Sequence, residues 1–89
     1  MATRKTEIEP TLAETFGTVV RTFREKAGLT QDKLAYHAGI TPGYMSQVER
    51  GIKNATLPIL WGLARALQVK PSDLVRGAEK KFRSKEVSQ

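Results

Sequence analysis

The stretch QDKLAYHAGITPGYMSQVER, residues 31–50, reads as two short helices broken by one glycine. In the first half, Leu34, Ala35 and Ala38 fall on one helical face. Ala35 faces the second helix, where a small side chain lets two helices cross closely. Gly39 then ends the pattern, because a sharp turn after a helix usually needs a residue that tolerates positive φ. Ile40 follows as an apolar plug. Thr41 can cap the next helix with its hydroxyl, and Pro42 sits at the first helical position, where a missing N–H costs nothing. Met45 and Val48 are three apart and point inward, which turns Tyr44, Ser46 and Gln47 outward. Two helices set this way form a helix-turn-helix, whose second helix has the width of a DNA major groove.

The flanking sequence supplies three more helices and no strand pattern. Residues 1–10 are polar and lack periodicity, so they are expected to form a loose arm. Thr11 and Glu14 have capping-box spacing at the expected start of helix 1. Leu12, Phe16, Val19, Val20, Phe23 and Ala27 then make an apolar stripe of helical period, and Gly28 stops it. Thr30 caps helix 2, and helix 3 covers about residues 42–50. Thr56 caps helix 4, with Pro58 in the tolerant first turn and Leu57, Leu60, Leu63, Ala64 and Leu67 on the expected buried face. Helix 5 begins near Pro71 or Ser72, buries Leu74 and Val75, and is expected to stop by Gly77. The domain proper is thus 11–77. Residues 78–89 form a basic tail with Lys80, Lys81, Arg83 and Lys85 around Phe82. That tail either extends helix 5, dangles or docks on a partner.

Composition narrows the function classes. With 89 residues the chain holds one small domain. It has no cysteine, which excludes disulfides and thiolate metal sites and permits a reducing compartment. No apolar run approaches the ~20 residues of a membrane span, and the beginning lacks the apolar core of a signal peptide, so residence in the cytoplasm is the expectation. Fifteen basic and nine acidic residues give a net charge of +6, a balance that suits nucleic acid. Residues 31–50 themselves are neutral, Lys33 and Arg50 against Asp32 and Glu49. His37 is the single histidine and has no acidic or histidine partner at ligand spacing, so no metal and no cofactor is expected. No nucleophile–base pair or phosphate loop is present, and the chain does not read as an enzyme.

Gln31, Leu34, Ala35, Gly39, Ile40, Met45 and Val48 resemble the phage-repressor/Cro-like (XRE-type) helix-turn-helix regulators. The likeness extends through Phe16, Gly17, Arg21, Arg24, Gly28, Leu29 and Thr30 before the motif. After it come Glu49, Arg50, Gly51, Leu57, Leu60, Leu63, Ala64, Ala66, Leu67 and Leu74. The resemblance implies an all-α, five-helix lambda-repressor-like domain. Compact restriction–modification controller proteins are resembled as well as phage repressors are.

Base contacts are expected from the outward face of helix 3. Gln47 can pair bidentately with adenine, Tyr44 and Ser46 flank it, and Thr41 sits at the entry. Tyr44 either packs its ring on a thymine methyl or bonds a phosphate. Pro42 and Gly43 depart from relatives that carry base-reading polar side chains here; Gly43 allows close approach to a sugar or methyl group but cannot specify a base by hydrogen bonding. Help from DNA shape is therefore expected. Phosphate contacts are expected from Gln31 at the start of helix 2, from Arg50, Lys53 and Asn54 after helix 3, and from Arg21 on helix 1.

Three further expectations rest on the resemblance. Arg24 and Glu49 match a pair that joins helix 1 to the end of helix 3 and would position the recognition helix; if exposed, such a pair is worth only ~0–1 kcal/mol. Relatives dimerise through helices 4 and 5, which makes Ile59, Trp61 and Val75 candidates for a two-fold interface, with Trp61 alternatively a partly buried core aromatic. The implied function is a transcriptional regulator, repressor-like or controller-like, that binds double-stranded DNA as a homodimer on a near-palindrome. The rival is a protein-interaction module, an antitoxin subunit or transcriptional bridging factor, that uses the basic tail.

Overall fold

Five helices account for all the regular structure among the described residues: α1 (Lys5–Lys26), α2 (Gln31–Ala38), α3 (Pro42–Glu49), α4 (Leu57–Leu67) and α5 (Pro71–Val87). The computed structural model describes the backbone of residues 5–87 and the side chains of residues 12–82. α1 packs on α3 and α5, and α2 packs on α3 and α4. All five enclose one core in which Val20, Leu34, Met45, Val48, Leu63 and Leu74 are fully buried. Each such side chain contributes roughly 1.5–3 kcal/mol of transfer free energy. The inward pattern read from residues 31–50 therefore holds: Leu34, Ala35, Ala38, Met45 and Val48 are all buried.

Helix ends follow local chemistry. Thr30, Thr41 and Thr56 each sit in extended backbone and accept a hydrogen bond from the N–H three residues on, at 3.1, 3.0 and 3.4 Å. Gly39 ends α2 in the left-handed region with φ 77°. The same conformation ends α4 at Gln68, φ 61°, without a glycine.

Four expectations need correction. α1 begins at Lys5, so Thr11 is inside the helix and does not start it; residues 5–9 belong to the helix, while residues 1–4 lie outside the described residues. Pro10 lies within the helix and removes one backbone bond without ending it. α5 runs on through Gly77 to Val87, which removes the boundary drawn between residues 77 and 78. Gly77 is a packing residue: a Cβ there would lie 3.0 Å from Val19 Cγ1, so its absence lets α5 lie close on α1, and Ala78 next to it is buried. Leu57 is 67% exposed, although its spacing puts it on the stripe of Leu60, Ala64 and Leu67. It occupies the first position of α4, beyond the edge of the core. Val75, expected to be buried, is 49% exposed, while Leu74 carries the burial at the start of α5.

Candidate nucleic-acid interface

α2 and α3 are joined by three residues, 39–41. Gly39 N–H bonds the Tyr36 carbonyl at 3.2 Å and Ile40 N–H the Ala35 carbonyl at 3.0 Å. Ile40 is half-buried against the core, which fixes the turn from below. These bonds satisfy carbonyls that the end of α2 leaves over and set the angle at which α3 departs.

The far end of α3 is held by one carboxylate. Glu49 has a fully buried side chain, and Arg24, on α1, is 13% exposed. Arg24 Nε donates to Glu49 Oε2 at 2.6 Å and Nη2 to Oε1 at 3.1 Å, a two-pronged pairing. Its Nη1 donates to the Leu29 carbonyl at 2.9 Å, tying in the α1–α2 turn. Gln31 Nε2 adds a bond to Glu49 Oε1 at 2.8 Å, and Arg21 Nε lies 3.5 Å from the same oxygen. Burial works to raise the Glu49 carboxyl, but the bonds from Arg24 and Gln31 and the Arg24 charge outweigh it and hold the group below the usual carboxylate range. The hydrogen bond to Glu49 raises Arg24 in turn, against the effect of its own burial. Three elements, α1, α2 and α3, thus meet at one anion. The expected Arg24–Glu49 pair is present, buried and not exposed, and Gln31 and Arg21 join it. Sequence spacing gave no signal for the last two, because they reach Glu49 only through the packing of α1 and α2 on α3.

The outward face of α3 runs from Thr41 to Gln47. Thr41 and Gly43 are exposed, and Ser46 and Gln47 are half-exposed. Tyr44 is half-buried against the core, and its hydroxyl donates to the Asn54 carbonyl at 3.2 Å. The Gln47 carbonyl accepts from Ile52 N–H at 2.9 Å and Lys53 N–H at 3.3 Å. The loop after α3 is therefore fastened to α3 at two places, with Arg50, Lys53 and Asn54 exposed along it. Arg21 is 49% exposed beside the Glu49 cluster. Gln31 spends one amide N–H on Glu49, which leaves its second as the donor for a phosphate.

α4 and α5 carry apolar surface. Trp61 is 56% exposed, and with Leu57 and Val75 it lines a groove along α4 and α5 that also takes in Pro71 and Arg76. A second groove on the other side of Val75 is lined by Leu12, Phe16, Ala78 and the loop residues Lys53 and Asn54. Ile59 is partly buried and packed against the core, so this face is built around Leu57 in its place. α4 is apolar almost all round, and period alone does not choose which flank stays covered.

Among the described residues, no group of three His, Asp or Glu side chains is arranged to hold a metal, and no helix is long and apolar enough to cross a membrane. Residues 20–74 match the family described as Helix-turn-helix. Control protein C.BamHI of Bacillus amyloliquefaciens is 38% identical over 61 residues, 67% of this chain and 75% of that protein. The crystal structure of the clp gene regulator ClgR from Corynebacterium glutamicum superposes with a TM-score of 0.81 at 30% identity, covering 86% of this chain and 82% of that one. The restriction-modification controller protein C.AhdI from Aeromonas hydrophila gives 0.69 at 37% identity, covering 70% and 94%. With the motif capped, turned and anchored as described, and with matches over this much of its length, the chain belongs to the helix-turn-helix family of DNA-binding transcriptional regulators.

Proposed function

We propose that the protein is a sequence-specific regulator of transcription, of the repressor or restriction–modification controller kind, that lays α3 in the major groove of a near-palindromic operator. The observation that carries this reading is the Glu49 cluster, which locks α3 to α1 and α2 while leaving Ser46 and Gln47 facing out. Gln47, Ser46, Thr41 and Gly43 meet the bases. Tyr44 serves the same surface from its bond to the loop. Arg21, the second N–H of Gln31, Arg50, Lys53 and Asn54 meet phosphates and set the register. The reading is supported by the named relatives, which include a control protein, a restriction-modification controller protein and a clp gene regulator.

The regulator acts as a homodimer in the cytoplasm, joined through the face of Leu57, Trp61 and Val75, with half-sites one helical turn, ~34 Å, apart. The rival role for a free basic tail has less to draw on, because residues 78–82 continue α5 and Ala78 is spent in the core. Selection from a random DNA pool tests the proposal, followed by a salt titration of the winning site. A two-fold symmetric consensus and a steep fall of affinity with salt are expected. A pool that enriches no sequence would overturn the regulator.

A further inference from the structure

Six of the seven glycines have a reason inside the molecule. Gly28, Gly39 and Gly51 have φ of 74–77°, and Gly17, Gly62 and Gly77 lie where a Cβ would crowd a neighbouring backbone or side chain. Gly62, for instance, would bring a Cβ to 2.9 Å from the Ala38 carbonyl oxygen. Gly43 has neither reason. Its φ is ordinary, it is exposed, and a Cβ built there meets nothing within 4 Å. It also lies within a helix, where glycine is a poorer choice than alanine. The free protein gains nothing from glycine at this position.

We infer that Pro42 and Gly43 form a slot for the 5-methyl group of a thymine, and that Gly43 is a specificity-determining residue through the side chain it lacks. This deepens the proposed function and rests on it. Pro42 precedes Gly43 and is exposed, so the tip of α3 presents a pyrrolidine ring and a bare Cα to the groove. Neither has a side-chain donor or acceptor. On the floor of the major groove the edges of adenine, guanine and cytosine present hydrogen-bonding groups, and the apolar group is the thymine methyl. An apolar, indented tip fits that group and leaves polar edges unsatisfied. Gln47 lies four residues along, on the same helical face, and reads the neighbouring base pair with its amide. Methyl contact at the tip and hydrogen bonding one turn on are thus divided between two residues.

The test uses the full chain and the operator selected above. Each thymine is replaced in turn by deoxyuridine, which removes only the methyl. Wild type is expected to lose about fourfold in affinity, the worth of one buried methyl group, at one symmetric position per half-site. Gly43→Ala is expected to raise Tm by a few degrees and yet bind the thymine operator about tenfold more weakly, through overlap of its Cβ with the methyl. On the matching deoxyuridine operator the variant should recover toward wild type. An alanine variant that binds the thymine operator as tightly as wild type overturns the inference, and so does an operator with no methyl-dependent position. Either result leaves the regulator standing, whereas a failed selection removes both.

Discussion

The Glu49 cluster and the α4–α5 face meet opposite fates. Around Glu49 a buried charge is matched within the chain by donors from Arg24 and Gln31, with Arg21 alongside. Around Trp61 and Leu57, large apolar side chains are left more than half exposed. The polar site is complete in one copy; the apolar site calls for another surface to cover it. The setting of α3 is therefore fixed by folding, and in the proposed homodimer the spacing between two copies of α3 would be left to assembly.

The sharpest way to break this contrast is to remove the carboxylate. Glu49→Ala strands the nearly buried Arg24 guanidinium and should cost about 3 kcal/mol of stability. Thermal denaturation reads it, and an unchanged Tm would mean the cluster is as replaceable as a surface pair. Next in size is Trp61→Lys. It should leave the fold intact, because the side chain is largely outside the core, and weaken self-association about tenfold or more, read by sedimentation equilibrium. Identical association by the variant would move the interface elsewhere.

The smallest effect is one of pH. Glu49 is held below its ordinary value, so its contribution to stability is present above the unfolded carboxylate pKa of about 4.3 and is lost as pH falls from there through the lower folded value. Glu49→Gln cannot make that transition. Its stability should fall less steeply than wild type below pH ~4.3 and run parallel above it. Equal slopes in acid would show that other carboxylates dominate.

What could be read in the chain follows the same division. Caps at Thr30, Thr41 and Thr56 and the turn at Gly39 are local events, decided within four residues, and each was legible. The Arg24–Glu49 pair was legible only through resemblance. The arrival of Gln31 and Arg21 at the same oxygen was not, because it depends on how α1 and α2 pack beside α3. Of two glycines at helical positions, Gly77 misled and Gly43 did not. Gly77 looks like a stop and is a packing contact, whereas Gly43 looks like a weakness of the tip and has no role in the free fold. Leu57 and Ile59 exchanged places because α4 is apolar on nearly every side, and the neighbouring elements choose the covered flank.

The bonds from Ile52 and Lys53 N–H to the Gln47 carbonyl carry a thermodynamic consequence. A loop that must be frozen on DNA exacts conformational entropy at the moment of contact, of order 1–2 kcal/mol per residue. Here that ordering has already happened when the chain folds, because the backbone at Ile52 and Lys53 is bonded to α3, so in the proposed complex this part of the loop would reach the duplex already ordered. Binding as proposed should then proceed with little adjustment of this loop, and sequence-dependent differences in heat and entropy of association should trace chiefly to the DNA.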